Sequence, residues 1–242
     1  MKLPESWALP EAIKSRFGQK SSGKQRTMVA EGHLLLVLHR VPRTGDRTRA
    51  AVFAWRKPDG SWLHSGGSSG LSPLIKHLKE YGKTEEKLTA AYDQAASADD
   101  YFDILEKIAP LRLATKNLHS TLQAARDNIP DDKDIIDLRD WAHDIERTLD
   151  LLHENTKSAL DYKIAQRTEE QAQLSLASVE AGHRLNVLAA IFFPLTAISC
   201  LFGMNVVSGL EDNSNITFWT ITLISVVIGL WVRRWVLNGT WK

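Results

Sequence analysis

The chain has 242 residues, with 30 Lys and Arg against 29 Asp and Glu and a net charge of +1. One cysteine, Cys200, excludes a disulfide framework, and His-x₃-His and Cys-x₂-Cys metal spacings are absent. A hydrophobic content of 43% matches an ordinary globular domain, but the average conceals two charge-free runs in the last quarter of the chain.

The first 30 residues are polar and lack an apolar core, so no signal peptide is expected. Residues 1–64 carry twelve Lys and Arg against five Asp and Glu. Such a section can attract anionic lipid heads or pair with an acidic helix. Basic residues such as Arg43, Arg47 and Arg49 are more often a solvated edge, and no nucleic-acid partner is expected. Gly18 to Lys24 nearly spells a phosphate-binding loop, but Gln25 stands where a Ser or Thr must hold Mg²⁺ and no apolar strand precedes it.

Residues 33–41 and 49–56 read as strands, and Pro58-Asp59-Gly60 as a turn into a short third strand at 61–64. Residues 65–70, rich in Gly and Ser, read as a flexible link. Helical spacing then covers 72–95 and 99–128, with a kink expected at Pro110. Pro130 restarts the chain, and Asp131, Asp132 and Asp134 suit the N-terminus of the next helix.

From there Leu138, Trp141, Ile145, Leu149, Leu152, Thr156, Ala159 and Lys163 follow the three- and four-residue spacing of packed long helices. No Gly or Pro interrupts residues 132–181. At Lys163 the seam turns polar, which suits an assembly of such helices around a wet axis. His33, His39, His64, His77, His119, His143 and His153 have no ligand spacing and read as surface or packing residues. No nucleophile and base can be paired, so the chain does not read as an enzyme.

Residues 185–206 contain no Asp, Glu, Lys or Arg and are long enough to cross a bilayer as a helix. Residues 216–232 reach the minimum span, with Trp219, Trp231, Trp235 and Trp241 suited to the interfacial belts. His183 and Arg184 precede the first span, and Arg233, Arg234 and Lys242 follow the second. The loop between holds Glu211 and Asp212 and no Lys or Arg. Both termini are therefore expected in the cytoplasm. The fold class is an α+β membrane protein: a small N-terminal α/β cytoplasmic domain, then a long stalk helix running into the first of two C-terminal transmembrane helices. The expected division is 1–70, a β-containing domain; 71–183, helical and stalk; 184–206, first span; 207–215, external loop; 216–237, second span; and 238–242, cytoplasmic tail.

With Pro194-Leu195-Thr196 upstream of Gly203-Met204-Asn205 at the outer end of the first span, the chain resembles the CorA family of divalent-cation channels. The resemblance is close over 180–242, loose over the helices from 72, and only architectural over 1–64. It implies a homopentamer in the cell (inner) membrane, with no cofactor and with Mg²⁺ as cargo. The first span would line the pore, and a ring of Asn205 would contact the hydrated ion. Neutral amide oxygens can accept hydrogen bonds from the waters of an ion that dehydrates reluctantly, without holding it too tightly to pass.

By position the resemblance assigns Cys200, Thr196, Phe193, Leu185 and Gly182 to the pore wall, and helical spacing adds Ala189. The family pattern tends to carry Gly where this chain has Cys200, and Met where it has Phe193 and Gly182. Cys200 reads first as a small packing residue and second as a ligand favouring softer ions. Glu211 and Asp212 are read equally as cation attractors and as ordinary loop acids.

The resemblance also implies regulatory metal-binding acids. Asp137, Asp140 and Asp144 share one helix face. Glu169 and Glu170 adjoin Thr168, which occupies the position of the family's stalk carboxylate. Ordinary helix-terminal charge and a solvated face are the favoured reading of these acids. Two other functions fit the same spans: Zn²⁺, Co²⁺ or Ni²⁺ transport, and a non-conducting membrane-anchored scaffold in which Asn205 only caps its helix.

Overall fold

The computed structural model describes residues 3–4, 6–18, 23–43, 45, 50–203 and 215–238. Two compact units divide the chain, Met1–Ala165 and Gln166–Lys242. The first holds α1 (Glu11–Lys14), a four-stranded antiparallel meander of β1 (Arg26–Ala30), β2 (His33–His39), β3 (Ala51–Arg56) and β4 (Trp62–His64), then α2 (Ser72–Gln94) and α3 (Ala98–Asn128). The helix α4 (Lys133–Gly203) begins in the first unit and continues in the second, which also holds α5 (Asn215–Asn238).

The near-continuous apolar run of β2 follows from burial on both faces. Successive strand residues point to opposite sides. Leu34, Leu36 and Leu38 therefore join Val52, Ala54 and Trp62 in a core shared with Leu78 and Tyr81 of α2, Leu111 and Leu118 of α3 and Leu138 and Ile145 of α4. Leu35 and Val37 face the other way, with Met28, Phe53 and Trp55, under a cover of Trp7, Leu9 and Ile13. The pairing register Leu35↔Trp55, Leu36↔Ala54 and Val37↔Phe53 keeps each set on its own face.

The structure corrects one expectation and adds to two others. The strand β1 and the short helix α1 went unread. Residues 65–70 are not a flexible link: Ser65 N donates to Phe53 O at 2.9 Å, Gly70 N donates to Trp62 O at 2.8 Å, and Leu63 bridges to Ser69. Positive φ angles of 82° at Gly67 and 86° at Gly70 let this turn close, which explains the glycines there. Gln25, noted above only as a defect in a phosphate loop, is a buried tie. Its Nε2 donates to Ala114 O of α3 at 2.8 Å, and its Oε1 accepts from His39 N at 3.3 Å.

The helices start where the capping chemistry directs. Ser97 and Asp100 form a capping box at the head of α3, and those hydrogen bonds hold the Asp100 carboxyl below the usual carboxylate range. Pro110 lies inside α3, which continues on both sides of it. At the head of α4, Asp132 Oδ1 accepts from Ile135 N at 3.2 Å. Asp132 Oδ2 receives both Nε and Nη2 of Arg56 at 2.7 Å, locking the end of β3 to this helix. Along α4, Ile135, Leu138, Ala142, Ile145, Leu149, Leu152 and Thr156 are buried. From 157 to 189 no residue of α4 is buried, and Tyr162, Ile164, Leu174, Leu176 and Val179 are all exposed.

Candidate functional site

Among the described residues, two helices are long and apolar enough to cross a membrane, a window within α4 and Phe218–Trp235, and little of either is buried within the chain. They meet where side chains are small. A Cβ on Gly229 would stand 3.1 Å from Ile191 O, so this glycine permits a close backbone approach. Ala190 and Ser225 are buried, and the Ser225 hydroxyl donates to Ile221 O at 2.7 Å rather than being left unpaired.

Val187, Ala190, Ile191, Pro194 and Ile198 of α4 are covered or half-covered. The residues assigned above to the pore wall lie mostly elsewhere on the helix. Leu185 is 67% exposed and Phe193 73% exposed, and Thr196 and Cys200 are exposed as well. Gly182 and Ala189 are half-buried. Thr196 Oγ1 donates to Phe192 O at 2.7 Å, which leaves its lone pairs able to accept from an ion's water. Pro194 has no N–H, so the Ala190 carbonyl loses its usual helical donor within this span. Gly203 is the last residue of α4. Met204, Asn205, Glu211 and Asp212 lie outside the described residues.

The acids considered as metal sensors are on the surface. Asp137, Asp140 and Asp144 are exposed, Asp140 pairs with Arg139 at 2.8 Å, and the exposed Glu170 accepts from Gln166 at 3.3 Å. Among the described residues the group whose ligand atoms converge is a different one: His119, His143 and Glu146, all within 4.8 Å of one another. No local spacing announced it, because His119 sits on α3 and the other two on α4.

A cavity of about 1060 Å³ opens against residues 40–43, β3, β4 and α2, lined by Arg40, Arg43, Lys76, Lys83 and Lys87 with Glu80 among them. Arg40 and Arg43 with three lysines of α2 make a basic wall that favours small anions. His77 also lines it and is 5% exposed, its ring 5.4 Å from that of Tyr81. Burial pushes the His77 imidazole down to about 4, helped by the neighbouring His64, Arg40 and His39 charges and opposed by a hydrogen bond to the His39 backbone.

Unfolded, that imidazole titrates near 6.5. Between the two values the unfolded chain takes up a proton that the folded chain refuses. The stability contribution is therefore full above about pH 6.5 and falls as pH drops through 4, by roughly 3 kcal/mol at pH 4. Urea unfolding of the full chain, followed by tryptophan fluorescence across this range, should show that slope, and His77→Phe should flatten it.

A family model described as "CorA-like Mg2+ transporter protein" matches residues 70–237. The chain belongs to this family of divalent-cation transporters. Among solved structures, the full-length CmaX protein aligns at 14% identity and a TM-score of 0.53, over 90% of this chain and 79% of that one. The CorA magnesium transporter from Methanocaldococcus jannaschii aligns at 18% identity and a TM-score of 0.41, over 90% of this chain and 80% of that one. The search of curated proteins gave no match. The fold is thus the one expected: a small N-terminal antiparallel sheet, and a long helix running into the first of two apolar C-terminal helices.

Proposed function

We propose that this chain conducts Mg²⁺ into the cell, down its electrochemical gradient, through a homopentameric pore lined by the outer half of α4. The observation that carries the reading is the exposed stripe of Leu185, Phe193, Thr196 and Cys200 on an unbroken helix that reaches Gly203. Lipid suits Leu185 and Phe193 but not the polar Thr196 and Cys200, whereas five copies around an axis would turn the whole stripe inward. In the same reading residues 207–215 form the external loop, both termini lie in the cytoplasm of an inner-membrane protein, and residues 1–183 hang below the bilayer. Phe193 and Leu185 form apolar constrictions that gate by dewetting, and Thr196 offers a hydroxyl oxygen to the hydrated ion midway. Asn205 supplies the amide ring at the outer mouth, Glu211 and Asp212 concentrate cations there, and Gly203 and Met204 position the Asn. The acids Asp137, Asp140, Asp144, Glu169 and Glu170 would act, if between subunits, as a cytoplasmic Mg²⁺ sensor.

A second reading, transport of a softer dication such as Zn²⁺, Co²⁺ or Ni²⁺, has one observation on its side: the Cys200 thiol is exposed on the same stripe. Expression in a cell deficient in Mg²⁺ transport separates the two. Rescue of growth in low Mg²⁺ supports the first reading. Heightened Zn²⁺ or Co²⁺ sensitivity without rescue supports the second, and neither effect points to a non-conducting scaffold.

A further inference from the structure

The group formed by His119, His143 and Glu146 lies wholly within the first unit and plays no part in conduction as proposed above. His119 comes from α3, and His143 and Glu146 come from successive turns of one face of α4, three residues apart. His119 Nδ1 lies 2.6 Å from Glu146 Oε2, and the His119 and His143 rings stack with centroids 4.9 Å apart, tilted by 45°. The flanking core residues Leu118, Leu122, Ala142 and Ile145 are buried, so the two helices hold these side chains from rigid backbone. His119 and Glu146 are half-buried at 22% and 16% side-chain exposure, while His143 stands open to solvent.

We propose that these three side chains bind a zinc-like transition-metal dication. Two imidazoles and a carboxylate are the donor set that suits Zn²⁺, Co²⁺ or Ni²⁺. Mg²⁺ prefers an octahedron of oxygens and gains little from imidazole nitrogen. With Zn–N and Zn–O bonds of about 2.0–2.1 Å, two tetrahedral ligands stand roughly 3.3 Å apart. The His119–Glu146 separation must therefore open by roughly 0.7 Å on that geometry, and His143 must swing in. The exposed His143 can do this without moving backbone. Water fills the fourth position on the solvent side. In the metal-free chain, the His119–Glu146 hydrogen bond holds two ligands together. Metal binding would pin α3 to α4 and stabilise the folded unit in proportion to the metal's affinity.

The test uses the full-length protein in detergent with every polyhistidine tag removed, titrated calorimetrically with Zn²⁺ in the presence of excess Mg²⁺. Wild type, His143→Ala and Glu146→Gln are compared, since the exposed His143 can be replaced without disturbing the core. The wild type should bind about one Zn²⁺ per chain at this site. Each variant should lose at least about tenfold in affinity, in line with the sensitivity of metal sites to loss of a supporting group. Zn²⁺ should also raise the unfolding temperature of the wild type and not of the variants. Equal Zn²⁺ affinity in all three proteins, as background binding at Cys200 or surface acids would give, overturns the proposal. So does a wild type that takes up no Zn²⁺, or one from which Mg²⁺ displaces it at comparable concentration. None of these outcomes depends on whether the protein conducts.

Discussion

Asp132→Ala should unfold the first unit at a temperature lower by about 10 °C or more, from a loss of about 3–5 kcal/mol. The side chain does two jobs at the junction of sheet and helix. Its Oδ1 accepts from Ile135 N at the head of α4, and its Oδ2 takes both Nε and Nη2 of Arg56 from the end of β3. Both partners are largely buried, with side-chain exposures of 16% for Arg56 and 10% for Asp132. Removing Asp132 leaves the guanidinium desolvated and unpaired, which costs more than the pair itself contributes. Asp132→Asn keeps the cap acceptor and loses the charge, so it should fall between Asp132→Ala and wild type, the cap accounting for about 1 kcal/mol. Arg56→Met combined with Asp132→Leu removes both charges, and it should recover much of the loss. Thermal melts of the full chain followed by tryptophan fluorescence read this directly, because Trp7, Trp55 and Trp62 are buried in the two cores beside the sheet.

Asn205→Ala should reduce Mg²⁺ flux to the leak of empty vesicles while the oligomer survives. The expectation follows from the hydration of the ion. Mg²⁺ gives up its first-shell waters slowly, so a mouth that passes it must bind those waters rather than the bare ion. Alanine offers no acceptor there, and the ion would face only an apolar collar. Among the described residues the two spans of one chain meet at Gly229, Ile191, Ala190 and Ser225, which the substitution leaves unchanged. Asn205→Asp gives a different signature: a ring of carboxylates would hold the dication longer and slow its release. Flux that persists in Asn205→Ala would remove Asn205 from the conduction path.

Much of the fold was legible where one physical signal dominated. The run His33–His39 declares a strand buried on both faces, and the sheet buries it between two cores. The absence of Gly and Pro over 132–181 declares one helix, and α4 passes through it and on to Gly203. Arg26–Ala30 was missed because its outer residues alternate weakly and only Met28 is buried, so its identity depends on pairing with β2. The structural role of Gln25 has no sequence signal, because a buried amide bridging Ala114 O and His39 N leaves no local pattern. The turn at 65–70 has the composition of a linker, and its order comes from bonds to β3 and β4.

The histidines show the same limit at the level of a site. His143 and Glu146 are neighbours on a helix face, but their partner His119 lies 24 positions earlier and joins them only through the register of α3 against α4. The resemblance assigns a pore face on α4 by position, and Leu185, Phe193, Thr196 and Cys200 of that set are exposed in the folded chain.

The central claim is conduction of a divalent cation. The measurement that tests it most directly is Mg²⁺ entry into liposomes carrying the purified full-length protein, with a Mg²⁺ indicator inside and the membrane potential set by a K⁺ gradient. Entry should rise when the interior is made negative and vanish in Asn205→Ala. Entry no faster than in protein-free liposomes at any potential, from correctly inserted oligomers, would contradict it.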